Sequence, residues 1–264
     1  MTRILSGILL GGVVGAAIVW APPSVLLGIA VLFAALAAGE FVALAEAAGA
    51  PVPRTPTIVA AGALCAAVPW AGAVVAPVVI AVVLTQAALA VGWLAPDANT
   101  IARVSIAVFG PLYVGLPLGS LVAVHWSGGP AAALLLIGTI VISDTAQYYG
   151  GRLLGRRPLA PVLSPKKTVE GAVAGMVVGT VAFTLLGGRL WPSLPITLLA
   201  VVGLSLVVLG ITGDLFESML KRGVGAKDSS TLIPGHGGVL DRIDALLFAA
   251  PVYYVIVRFA VRVA

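Results

Sequence analysis

Charge is scarce in this sequence: only 9% of its 264 residues are Asp, Glu, Lys or Arg, where a soluble domain carries about 25%. Hydrophobic residues make up 60% and the mean hydropathy is +1.14, which excludes a soluble globular enzyme. Cysteine is nearly absent. Cys65 stands alone in an apolar run, so neither a disulfide framework nor a cysteine-based metal site can be built. There is no Walker A pattern, no HExxH, no GxSxG, no repeat of fixed period and no linker long enough to part soluble domains. The polar/apolar alternation of barrel strands is also missing. Membrane α-helices are the class that remains.

What is present is a series of long apolar runs, punctuated by 32 Gly and 18 Pro, both commoner in transmembrane helices than in soluble ones. A spanning helix needs about 20 mostly apolar residues. Nine runs are predicted, at 4–21, 25–48, 56–70, 72–94, 101–125, 130–149, 170–187, 194–220 and 239–262, the third being the shortest. The expectation is an all-α, polytopic integral membrane protein with about nine transmembrane helices. Residues 1–21 look like a signal peptide, with Arg3 before an apolar run. A further span follows directly and no cleavage box is evident, so a retained first helix is expected. Residues 1–125 read as helices for support, lipid access or dimerisation. Residues 126–264 read as the catalytic region, with no separate soluble domain.

The net charge of +5 would point to nucleic acid in a soluble protein. Here it points to anchoring. With nine spans and a cytoplasmic N-terminus, 12 of the 15 Lys and Arg fall inside, leaving Arg189, Arg258 and Arg262 outside, as the positive-inside rule requires. The loops 150–169 and 221–238 are two spans apart and share a side. A cell-membrane protein with a site facing the cytoplasm is expected.

Charge is also unevenly placed. Residues 144–170 and 214–244 carry 16 of the 25 charges. Six carboxylates, Asp144, Glu170, Asp214, Glu217, Asp241 and Asp244, fall where spans six to nine meet the cytoplasmic rim, and acids there need a partner or a wet cavity. Asp214, Glu217, Ser218 and Lys221 share one helix face at i, i+3, i+4, i+7, and Asp241 and Asp244 follow at i, i+3. Two such faces joined by a short polar loop can converge on one pocket. Carboxylates facing Lys and Arg suit Mg²⁺, which combines one or two carboxylates with substrate phosphates. The plainer alternative is a set of interhelical salt bridges. Ser164-Pro165-Lys166-Lys167-Thr168 precedes span seven, where free N–H groups suit a phosphate; an ordinary cap with anchoring lysines is the alternative. Pro234-Gly235-His236-Gly237-Gly238 allows close backbone access to a ligand. His125, at the outer end of span five, reads as an interfacial residue.

The stretch from Ser218-Met219-Leu220-Lys221-Arg222, through Lys227-Asp228 and Pro234-Gly235-His236-Gly237-Gly238, to Asp241-Arg242-Ile243-Asp244 resembles the signature of the phosphatidate cytidylyltransferases, or CDP-diacylglycerol synthases, over 27 positions. Asp144-Thr145, Tyr148, Gly151-Arg152, Gly155 and Ser164 to Gly171 resemble the family's second characteristic stretch. Gln147 stands there where a small residue is usual, and Val169 where Trp is common. Glu40-Phe41 resembles a weaker acidic motif near the family's N-terminus. The strong resemblance covers roughly residues 140–245.

The resemblance implies that CTP and phosphatidic acid are joined to CDP-diacylglycerol and pyrophosphate in phospholipid biosynthesis, with Mg²⁺ required and room for a second cation. A phosphate monoester is already anionic near neutral pH and needs no strong base to attack the α-phosphorus of CTP; the protein supplies alignment and neutralisation. By the same resemblance Asp214, Asp241 and Asp244 hold metal, with Asp144 nearby. Lys167, Lys221, Lys227 and Arg242 neutralise phosphates and complete the catalytic set. Arg152, Ser164, Lys166, Thr168, Ser218, Arg222, His236, Gly237 and Gly238 are the substrate-binding candidates. CTP comes from the cytosol and phosphatidic acid from the inner leaflet; membrane lipid is a partner, nucleic acid is not, and a homodimer stays open. The rival readings are a CTP-dependent polyprenol kinase, a CDP-archaeol synthase and, against the rim position of the acids and the lack of repeats, a transporter.

Overall fold

The computed structural model describes residues 2–70, 75–93, 96–233, 235 and 237–263, with side chains from Gly11 to Val261. Eight α-helices occur among them: α1 (Thr2–Trp20), α2 (Pro23–Ala47), α3 (Arg54–Ala67), α4 (Val75–Trp93), α5 (Thr100–Leu154), α6 (Val169–Leu190), α7 (Ile196–Gly223) and α8 (Leu240–Val263). Gly129, with φ 76° and ψ 179°, leaves helical geometry and divides α5 into two arms. The second arm starts at Pro130, whose fixed φ and missing N–H suit a first turn. Among the described residues, helix therefore occurs within each run that hydropathy singles out. Six helices, with α5 counted once, are long and apolar enough to cross a membrane. This is a helical membrane protein. At 14 residues α3 is not among the six, since it rises only about 21 Å against a hydrocarbon core of about 30 Å.

The all-α expectation needs one correction. Pro158–Ala160 (β1) and Ser164–Thr168 (β2) form an antiparallel hairpin, with Pro158 opposite Thr168 and Ala160 opposite Ser164. Hydropathy treats this stretch as a polar loop because strand pairing, not apolar periodicity, builds it.

The chain folds as two compact units, one of residues up to 123 with 220–243, the other of 124–219 with 244–264. In the first unit, α2 buries a face of Ala34, Ala37, Ala38 and Val42. A β-carbon on Gly119 of α5 would lie 2.6 Å from the Cys65 carbonyl oxygen, and one on Gly110 2.8 Å from the Phe41 ring. Small residues let helices approach where lipid supplies no hydrophobic drive between them. Gln86 of α4, 2% exposed, donates to the Pro56 carbonyl at 3.0 Å, which gives its amide nitrogen a partner, while its Oε1 is buried without one among the described residues.

In the second unit, Gly171, Gly175 and Gly179 recur at helical spacing along α6 and face Ser143 and Gln147 of α5. This close packing lays the start of α6 beside the end of α5. A β-carbon on Gly213 of α7 would lie 2.5 Å from the Asp244 carbonyl oxygen of α8. Tyr253 is fully buried in edge contact with Phe183 and donates from its hydroxyl to the Ala132 carbonyl at 3.1 Å.

Candidate active site

The second unit gathers Asp144, Lys167 and Asp214. Pairing with β1 makes Ser164–Thr168 a strand, and successive strand residues point to opposite faces. Lys166 is exposed while Lys167 turns inward. Lys167 Nζ donates to Asp214 Oδ2 of α7, with side chains 25% and 30% exposed. Asp144, one helix over, interacts electrostatically with both Lys167 and Asp214. Its Oδ1 accepts from Gln147 Nε2 at 2.9 Å, and Ser218 Oγ lies 3.5 Å from Asp214 Oδ1. Lys167 is thus paired with Asp214 while Asp144 stands within electrostatic range of both, and each carboxylate keeps oxygen lone pairs beyond these bonds.

The strand is fixed to the helix it enters. Thr168 is the N-cap of α6, its hydroxyl accepting from the Gly171 N–H at 3.1 Å, as Thr does at this position. Glu170 Oε2 accepts from the N–H groups of Arg156 and Arg157 at 3.0 and 3.2 Å. Glu170 ties down the hairpin, and Thr168 is engaged as a cap.

The first unit builds a different arrangement. Lys221, in the last turn of α7, donates to Asp241 Oδ1 at 2.5 Å, with side chains 11% and 5% exposed. Asp241 Oδ2 accepts from Ser229 N–H at 2.8 Å, Ser229 Oγ at 2.7 Å and Gly238 N–H at 2.8 Å. A β-carbon on Gly238 would fall onto Ser229 Oγ and both carboxylate oxygens of Glu40. Gly238 is required here for packing within the protein.

The chain matches the model of the cytidylyltransferase family over residues 1–260. It belongs to that family. It is 40% identical over 149 residues to the phosphatidate cytidylyltransferase of Helicobacter pylori (strain J99), covering 56% of this chain and 55% of that protein. It is 44% identical over 136 residues to the chloroplastic phosphatidate cytidylyltransferase 5 of Arabidopsis thaliana, covering 51% and 33%. To the phosphatidate cytidylyltransferase of Thermotoga maritima it is 37% identical over 170 residues, covering 61% and 60%. The chain spans about half the length of the curated relatives it matches.

Of the residues that the cytidylyltransferase resemblance singles out, Asp144, Lys167, Asp214 and Ser218 stand together in one unit, and Lys221, Asp241, Gly237 and Gly238 in the other. Asp244 is half-buried at the start of α8, its Oδ1 accepting from the Ala245 N–H at 2.7 Å. Arg152, Lys166, Lys227 and Arg242 are exposed, and Ser164 is half-buried in β2. Arg222 donates to the Ala226 carbonyl at 2.8 Å, closing the end of its own helix. His236 lies outside the described residues. Among the described residues no three His, Cys, Asp or Glu side chains are grouped as a metal cluster. Sequence reasoning passed over Gln147 as a bond to Asp144, and it left Ser229 and Glu40 out of the site. The signal for Glu40 was a carboxylate 17 residues into the apolar α2, inside the run and not at its end as Glu46 is.

Proposed function

We propose that this cytidylyltransferase-family protein is an enzyme that joins CTP and phosphatidic acid to CDP-diacylglycerol and pyrophosphate. The observation that carries the reading is the Asp144–Lys167–Asp214 group, on residues matching the family's motifs and in a chain whose named relatives are phosphatidate cytidylyltransferases. An oxygen of the lipid phosphate attacks the α-phosphorus of CTP, the bond from that phosphorus to the β-phosphate oxygen breaks, and pyrophosphate leaves. Since the attacking phosphate is already anionic, direct displacement needs no covalent enzyme intermediate. Lys167 sets a positive charge among the incoming oxygens, exchanging Asp214 for a phosphate as substrate arrives.

Asp144 and Asp214 offer two hard oxygen donors, a set that fits Mg²⁺ completing its shell with phosphate and water. Bound there, the ion would offset repulsion among the phosphates. Asp241 is already engaged by Lys221, Ser229 and Gly238, and we assign it to holding the loop before α8, whose Lys227 the family resemblance gives to substrate phosphates, so that the geometry of this loop bears on turnover. We assign nine crossings, with α3 lengthened to about 27 Å by the 3₁₀ turn Val68–Trp70 that continues it, a cytoplasmic N-terminus and a site at the cytoplasmic rim of the cell membrane, supported by the 12 of 15 basic residues that then lie inside. CTP then arrives from the cytosol and the lipid headgroup waits at the same depth.

The test is incubation of the purified protein with CTP, phosphatidic acid and Mg²⁺, followed by product mass. CDP-diacylglycerol with pyrophosphate is expected. CDP with a phosphorylated lipid would instead identify a CTP-dependent kinase. Cysteines introduced at Gly155 and Gly225 should label from the cytoplasmic face only.

A further inference from the structure

Glu40 is a carboxylate in an apolar helix, 7% exposed, and such an acid is costly unless it is bonded. It accepts four hydrogen bonds. Oε1 takes Ser230 Oγ at 2.6 Å and the Val239 N–H at 2.9 Å; Oε2 takes Ser229 Oγ at 3.0 Å and the Leu240 N–H at 2.8 Å. Leu240 opens α8, so Glu40 caps that helix from α2, across 200 residues of chain. The free N–H groups of a helix start need such an acceptor, and the helix dipole favours a negative one.

The second link runs through Ser229. Its Oγ lies 3.0 Å from Glu40 and 2.7 Å from Asp241, and a hydroxyl has one proton to donate. Glu40 and Asp241 therefore compete for the same donor, and Asp241 is the ion partner of Lys221. We infer that Glu40 is a positioning residue: through Ser229 and the first turn of α8 it sets the orientation of Asp241 and Lys221 while itself touching no substrate.

The inference has two arms, of which only the activity arm rests on the cytidylyltransferase reading. In the first, amide hydrogen exchange is measured on the full-length protein in detergent. Glu40→Gln keeps the volume and removes acceptor capacity, so the Val239 and Leu240 amides should exchange at least 10-fold faster, while Glu46→Gln leaves them unchanged. Unchanged exchange in Glu40→Gln overturns the inference. In the second, turnover is measured per folded molecule. Glu40→Gln should lower kcat by about 10- to 100-fold, in line with a hydrogen bond to a charged group. Adding Ser229→Ala should lower it little further, because both changes cut one link. Multiplying losses would mean that Glu40 does not act through Ser229, as would lost protein yield with full turnover in the folded fraction. Should Glu40→Gln not fold, Ser229→Ala cuts the link with the α8 cap intact, and full turnover in that variant overturns the inference. If the wild-type protein makes no CDP-diacylglycerol, the activity reading fails and the exchange arm still decides.

Discussion

The protein builds two aspartate–lysine pairs from the same chemistry and sets them in different surroundings. Lys221–Asp241 is buried, 11% and 5% exposed, and Asp241 takes three further donors. Lys167–Asp214 is 25% and 30% exposed, with a second carboxylate, Asp144, near it. Breaking a buried pair strands a charge in low dielectric, whereas an open pair exchanges its partner for solvent or ligand at little cost. The buried pair is suited to holding geometry. On the proposed reading, the open pair is suited to exchanging Asp214 for a phosphate.

The largest effect expected is on stability, from Asp241→Asn. It removes the negative charge that Lys221 meets at 2.5 Å, and losing one partner of a buried pair costs about 3–5 kcal/mol. Thermal unfolding of the detergent-solubilised protein measures it. A stable Asp241→Asn protein that folds fully and lacks turnover would break the contrast, making Asp241 a ligand residue like Asp214.

Asp214→Asn should do the opposite. The pair is open, so the protein should fold with a thermal midpoint near that of the wild type, while turnover falls by roughly 10²–10³, the usual size for one preorganised electrostatic contact. Specific activity in detergent, normalised to folded protein, reads this directly. Near-normal turnover would remove Asp214 from the site.

A smaller loss is expected at Gln147, which bonds Asp144 at 2.9 Å and lies over Gly171 and Gly175. Gln147→Ala removes that bond and opens space between α5 and α6. A single hydrogen bond to a charged group is worth about 1.5–3 kcal/mol at most; with Asp144 partly solvated, we expect about a 10-fold fall in turnover and a higher Mg²⁺ requirement. A Mg²⁺ titration of the variant against the wild type measures both, and an unshifted titration would show that Asp144 is held without Gln147.

The sequence made the helices legible and the bonds between them much less so. Span positions follow from apolar runs of the right length, and each run is its own evidence. The hairpin was hidden because Ser164–Thr168 contains proline and two lysines and becomes a strand only against Pro158–Ala160. Lys167 and Asp214, 47 residues apart, were brought to one membrane rim by the clustering of charge and given joint roles by resemblance to a family, with no local pattern pairing them. Glu40 and Ser229 are 189 residues apart, and nothing near either one announces the other. In α2, hydropathy registers a single carboxylate as a small dent in an apolar run.

The smallest effect extends the contrast to a carboxylate that is itself half open to solvent while its partner is largely buried. Asp97, in the connection before α5, pairs with Arg103 at 2.6 Å, and its Oδ1 accepts from the Asn99 N–H at 2.8 Å. Desolvation raises its pKa, but the Asn99 N–H, the Arg103 guanidinium and the Thr100 hydroxyl together outweigh this and hold it below the usual carboxylate value. A depressed folded-state pKa stabilises the protein above the unfolded carboxylate's value, about 3.9, and that contribution is lost as pH falls through the folded value. Asp97→Asn should therefore lower the thermal midpoint slightly at neutral pH and leave it indistinguishable from the wild type well below pH ~3. Turnover should change less than twofold, because Asp97, 52% exposed, is screened by solvent and bonds to neither aspartate–lysine pair. The same midpoint difference at both pH values would show that Asp97 acts through the shape of its turn and not through its charge. The order of sensitivity among the three pairs would then follow local geometry, and exposure would cease to explain it.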